Sequence, residues 1–170
     1  MKSKTLLTMI LTATAWIGGA TMAADEAKDD AAVAKLLPTA KVTLQQGISA
    51  SESRGQPISG KFEVDEGQFQ LSVYTAKGAG FQEVVIDYTT GKIAKAEAIA
   101  EADDLAAAKK QVAAMAKAQV TLKAAADKAA QEFAGYRAVS VVPMLASHHA
   151  VALVTLVKGT QFKSVRESLE

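Results

Sequence analysis

Cysteine is absent from the 170 residues, which excludes a disulfide framework and a lipid-modified N-terminal cysteine. Histidine is scarce: the two imidazoles, His148 and His149, are neighbours, so a serine nucleophile would need its base from elsewhere. No serine is followed three residues later by lysine, and neither Gly-x-Ser-x-Gly nor His-Glu-x-x-His occurs. The Gly60-Lys61 and Gly91-Lys92 pairs lack the preceding glycine spacing and the following Ser or Thr of a phosphate loop. These absences argue against an enzyme. Asp65 and Glu66 fall in an expected turn, where solvated carboxylates are ordinary.

Long apolar runs are missing as well, apart from one near the start. Lys2 and Lys4 precede an apolar stretch over residues 6–17, and Thr21 and Ala23 supply the small residues before a cleavage point. That order is expected of a secretory signal peptide covering residues 1–23. The apolar core is shorter than the ~20 residues that span a bilayer, and no later stretch is long enough, so no membrane span is expected after cleavage. Lys2 and Lys4 leave with the signal, and 17 basic then face 18 acidic residues, a net charge of −1. Nothing in that balance recommends nucleic acid as a partner. The expected location is outside the cytoplasm, in the periplasm.

What is present is a frame stated twice. KGAGFQEV at residues 77–84 returns as KGTQFKSV at 158–165, and the VTL at 42–44 returns at 120–122. Thr43 and Leu44 match Thr121 and Leu122 at an offset of 78, while Lys77, Gly78, Phe81 and Val84 match Lys158, Gly159, Phe162 and Val165 at 81. The three extra residues are expected near Gly135, since insertions are tolerated at helix ends and loops. Each copy reads as a helix followed by antiparallel strands, an α+β plan. Thr43 caps, with Gln46 reaching back three residues on. A helix follows over residues 44–53 and stops at Gly55 and Pro57. Ile58, Gly60, Phe62 and Val64 alternate onto one strand face, and Phe69, Leu71 and Val73 onto one face of the next. A third strand covers residues 81–88. Either copy alone would be marginal in size, so the two are expected to support each other.

Residues 24–41, acidic and alanine-rich without apolar periodicity, read as a mobile leader. Residues 100–119 form a helical connector, with Leu105, Ala108, Val112 and Met115 recurring as a stripe that should pack on something. A break before Thr121 is expected, because that residue suits a cap. His148 and His149 align with Gly67 and Gln68 in a turn, where neighbours point apart and no cysteine completes a metal site. They are weak metal candidates, and no cofactor is expected. Ala150, Ala152 and Val154 match the inward Phe69, Leu71 and Val73, so Val151 and Leu153 stand on the opposite face, as Gln70 and Ser72 do in the first copy. A strand apolar on both sides is expected to be covered on both. Val151 and Leu153 therefore mark a packing or partner face, covered by the connector stripe or by another subunit of a homo-oligomer.

The stretch VVIDYTTGKI at residues 84–93 resembles the ending of PepSY domains, small exported modules that close on an aliphatic strand, Asp and Thr-Gly-Lys. Asp87, Thr90, Gly91, Lys92 and Ile93 carry the match. The resemblance covers residues 42–99 and, more weakly, 120–170, where Ser168 stands in for Asp87 and Thr-Gly-Lys is lacking. It implies two PepSY-like repeats, each a helix on a small antiparallel sheet, with an open sheet edge in the second. PepSY domains are similar to part of the propeptides of thermolysin-type metallopeptidases. The implied function is a non-catalytic binding module with a protein partner, restraining a secreted or periplasmic peptidase. The alternative is a periplasmic scaffold or ligand-sensing protein with no peptidase target. The family has no shared catalytic residues, and Gly91 reads as a turn residue.

Overall fold

The structure, a computed structural model, describes residues 22–170. The residues expected to form the signal peptide lie outside that range except for the last two. The chain enters through helix α1, Met22–Leu36, and a 3-10 turn, Leu37–Thr39. Most of the leader expected to be mobile is therefore helical and docked: Val33, Ala34, Leu37 and Ala40 are buried in the core. Alanine favours the helix, but the anchor is remote. The Arg137 guanidinium donates to the Leu37 carbonyl at 3.2 Å and to the Ala40 carbonyl at 3.5 Å. A contact spanning a hundred residues leaves no local periodicity.

Helix α2, Leu44–Ser51, opens on a capping box: the Thr43 hydroxyl accepts from the Gln46 N–H at 3.2 Å, and the Gln46 side chain from the Thr43 N–H at 2.8 Å. Such a cap contributes about 1 kcal/mol. Strands β1 (Gln56–Asp65), β2 (Gln68–Lys77), β3 (Gly80–Ile86) and β4 (Ile93–Ala98) follow as an antiparallel meander. Helix α3 spans Ala102–Met115. After a break, Thr121 accepts from the Ala124 N–H at 3.1 Å and starts α4, Leu122–Glu132. The chain then forms β5 (Arg137–Ala146), β6 (His149–Lys158) and β7 (Gln161–Ser168). The extra residues of this half lengthen α4, 11 residues against 8 in α2, and it ends at Glu132, close before Gly135, as expected.

The strands make one sheet in the order β4-β3-β2-β1-β5-β6-β7, not the two small sheets expected of separate repeats. The join is short: β1 and β5 pair antiparallel at Gly60 with Val141 and Lys61 with Ser140. Helices α2 and α4 touch each other and cover one face, with Leu44, Ile48, Leu122, Ala125, Ala126 and Ala129 buried against Leu71, Val73, Val141, Ala152 and Val154. Helix α3 packs against β5, β1, β6 and β2, and its Ala108 joins Ile58 and Tyr74 in a smaller cluster. Ile58 was expected beside Gly60 and Phe62. A β-bulge between Pro57 and Ser59 interrupts the alternation, and Ile58 joins the α3 cluster instead.

The α3 stripe is displaced from the expected one by about one residue. Asp104, Ala107, Ala108, Gln111 and Ala114 are buried, whereas Leu105, Val112 and Met115 are only half-buried. Small residues let the helix lie close to the strands, and Gln111 is held by the Ser59 hydroxyl, which donates to its Oε1 at 3.0 Å. Val151 and Leu153 are half-buried, while Ala150, Ala152 and Val154 beside them are fully buried. No helix among the described residues is long and apolar enough to cross a membrane.

Candidate functional site

The Asp-Tyr-Thr-Thr-Gly-Lys stretch builds a turn between β3 and β4. The Asp87 carboxylate accepts from the Thr89 N–H at 2.8 Å and the Thr90 N–H at 2.9 Å. The Asp87 carbonyl accepts from the Gly91 N–H at 2.8 Å, and its own N–H donates to the Lys92 carbonyl at 2.9 Å. Gly91 adopts φ 76°, a left-handed conformation that favours glycine. The N–H bonds from Thr90 and Thr89 hold the Asp87 carboxyl below its ordinary range. Next door, the Tyr88 carbonyl accepts from Lys41 and Val42 at 2.9 and 3.0 Å, tying this turn to the start of α2. These matched residues are placed to shape and anchor the turn.

A more chemically distinctive arrangement lies between the first meander and α3. Tyr74 on β2 is the register partner of Glu83 on β3, and Glu83 is the partner of Glu97 on β4, so a phenol and two carboxylates form a row across three strands. The exit from β4 and the first turn of α3 close this row into a cleft of about 100 Å³, adding Ala98, Ile99, Ala100, Glu101 and Asp104 to the lining. Tyr74 is 1% exposed, and its hydroxyl has no hydrogen-bond partner. Burial, followed by the carboxylates of Glu63, Glu83, Asp104 and Asp65, pushes its pKa strongly up, so the phenol stays protonated. Glu83 accepts from the Ser72 hydroxyl at 2.8 Å, but burial outweighs that bond and raises its pKa. Lys95 reaches Glu97 at 2.8 Å on the open side, where both are 54% exposed.

Gln70 and Ser72 alternate onto the strand face expected to meet water, and Tyr74 shares that side, yet Ser72 and Tyr74 are buried there. An aromatic ending an otherwise polar face was the available signal. Glu97 precedes α3 by only a few residues, but Tyr74 and Glu83 are brought beside it by the sheet register alone.

The histidines are not brought into a comparable cluster. His148 occupies a left-handed turn position at φ 71°, and its carbonyl accepts from the Lys117 ammonium at 2.9 Å. The His149 Nδ1 lies 2.8 Å from the Glu170 carboxylate, an acid partner that the sequence reading missed. Among the described residues no group of three His, Cys, Asp or Glu is arranged to hold a metal ion. Val151 and Leu153 lie on β6, outside the cleft lining.

No family model matches this chain, and comparison with curated proteins and with solved structures likewise finds no match.

Proposed function

We propose that the chain is a duplicated, non-catalytic binding module of the PepSY kind, exported after loss of residues 1–23, which engages a protein outside the cytoplasm. A secreted or periplasmic peptidase is the first candidate for that protein. Duplication draws support from the backbone. At an offset of 81 residues, Glu66 and Ser147 have φ 47° and 49°, Gly67 and His148 have 79° and 71°, and Gly78 and Gly159 both have 60°. The β1 bulge between Pro57 and Ser59 returns in β5 between Ala138 and Ser140. Leu169 repeats the part of Tyr88, its carbonyl accepting from Gln119 and Val120.

The observation that carries the binding reading is the position of β7. In the first half β3 is flanked by β4, whereas β7, in the corresponding place, is an edge of the sheet. One row of its backbone N–H and C=O groups is turned outward, and an extended segment of a partner can add to such an edge without special side-chain chemistry. The test is titration of the chain into secreted metallopeptidases of the thermolysin type. Stoichiometric loss of activity is expected, together with slowed amide exchange over residues 161–168 in the complex. A panel wholly unaffected at micromolar chain would remove the peptidase from the proposal.

A further inference from the structure

The row of Tyr74, Glu83 and Glu97 has an unusual composition for neighbouring strands. Two carboxylates face each other directly across β3 and β4, a placement that disfavours the sheet unless a cation offsets it. Lys95 supplies one ammonium to Glu97 on the exposed side. It leaves unanswered the Tyr74 hydroxyl, which is buried against the inner wall and lacks a partner. Buried hydroxyls are nearly always bonded, so one without a partner in a lined cleft marks a place for a ligand atom. The second half sharpens the point. At the offset of 81, Tyr74 and Glu83 correspond to Thr155 and Ser164, which are register partners with their hydroxyls 3.5 Å apart. The same fold position therefore does not require acid and phenol, and the cleft belongs to the first half alone.

We propose that this cleft binds an alkylammonium or guanidinium head, the end group of a lysine or arginine side chain or of a free amine. The phenol oxygen can accept one N–H, and Glu83, Glu97 and Glu101 offer charge-assisted acceptors around it. A volume of about 100 Å³ admits such a head, since one water needs only about 10–15 Å³ of the same kind of space. A divalent metal fits less well. It needs several oxygens converging on one point at about 2.0–2.6 Å, and no three acidic groups among the described residues are so arranged. An organic cation spreads its N–H donors and uses dispersed acceptors. This site is independent of the β7 edge and of any peptidase.

The test is an NMR titration of the isotope-labelled chain at fixed ionic strength. Four probes are used: Nα-acetyl-lysine N-methylamide, n-butylamine, the uncharged Nα-acetyl-norleucine N-methylamide, and calcium. Saturable shifts are expected at Tyr74, Glu83 and residues 97–104 with the lysine compound and none with norleucine. Butylamine binding as tightly as the lysine compound would assign recognition to the cationic head alone, and tighter binding of the lysine compound would assign it to a side chain presented on a peptide. Tyr74→Phe and Glu97→Gln should each weaken binding about tenfold, the scale of one bond to a charged group. Glu97 is exposed, so its variant keeps the fold and the parent spectrum elsewhere. The proposal is overturned by equal shifts with norleucine, by shifts spread to Asp127 and Glu132 on α4, by unchanged affinity in both variants, or by calcium binding tighter than either amine.

Discussion

The two halves of the sheet build the same helix-on-strand contact with the sizes exchanged. In the first, a Cβ added to Gly60 would lie 3.4–3.6 Å from Leu44, Ile48 and Val73: a large residue on the helix meets none on the strand. At the corresponding positions of the second half stand Ala126 on α4 and Val141 on β5, small on the helix and larger on the strand. A second pair behaves alike. Gly47 leaves room for the Leu71 side chain, which an added Cβ would strike, whereas its counterparts are Ala125 and Ala152, both buried. The spacing of helix and sheet is thus met by the combined bulk of two facing residues. Two halves can keep one frame while sharing few identities.

The strongest way to break this comparison is Ile48→Ala. It removes one of the three side chains packed over Gly60 and should cost about 2–5 kcal/mol in urea unfolding. Adding Gly60→Val to that variant copies the Ala126 and Val141 solution and should return at least half of the loss. A double variant no more stable than the single one would mean that the exchange of sizes is incidental. Gly47→Ala comes next. Its collision with Leu71 should cost about 1–3 kcal/mol, offset by up to about 1 kcal/mol from alanine's helix propensity. The reverse change, Ala125→Gly, forces no such collision and should lose the propensity and the burial of one methyl group, so a larger loss from Gly47→Ala measures the collision.

Below these stand Val151→Asp and Leu153→Lys. Both residues are half-buried, and each change should cost about 1 kcal/mol, roughly half the value of burying a whole aliphatic side chain. Gln70→Asp, at the matching place in the first half, should cost at least as much in the same melts. Gln70 donates to the buried Ser72 at 3.0 Å and to Glu63 at 3.4 Å, and the new carboxylate would face its register partner Glu63 directly. If Val151→Asp shifts sedimentation without lowering the melting temperature, a second subunit covers that face.

The smallest effect is one of pH at Glu83, which has no titrating counterpart in the second half. Burial raises the pKa of Glu83 above its ordinary value of 4.5, so at pH between 4.5 and the raised value the folded state is the more protonated one. Stability from this group is greatest at pH below 4.5 and declines as pH rises through the raised value. Glu83→Gln should therefore be more stable than the parent at neutral pH, with the gain shrinking on acidification. Its counterpart Ser164 has nothing to titrate, and Ser164→Ala should give the same difference at every pH. A Glu83→Gln gain that is constant with pH would show that the carboxylate is not ionising against burial.

Features that were legible in the sequence are those decided within three or four residues. Thr43 and Gln46 bond to each other's backbone, Thr121 caps the start of α4, and Asp87 to Lys92 form a self-contained turn. What escaped depends on partners far along the chain. α1 docks through Arg137, the displaced face of α3 follows from Gln111 meeting Ser59, and the bulge at Ile58 turns one residue against the alternation on either side. The cleft escaped because Tyr74, Glu83 and Glu97 are aligned only by the register of β2, β3 and β4.

The short join between β1 and β5 also bears on solubility. Two separate sheets would present four unpaired borders to solution, and borders of that kind recruit other chains into aggregates. Pairing Gly60 with Val141 and Lys61 with Ser140 leaves only β4 and β7 at the margins. Both carry charge, Lys95 and Glu97 on the first and Lys163 and Arg166 on the second, which discourages indiscriminate stacking. Cutting the chain within residues 116–120 and separating the pieces would bare β1 and β5. The second piece would then expose the flank of a strand rich in valine, Val139, Val141 and Val142, with only Arg137 and no acidic side chain along it. Such a fragment should precipitate where the whole chain stays in solution.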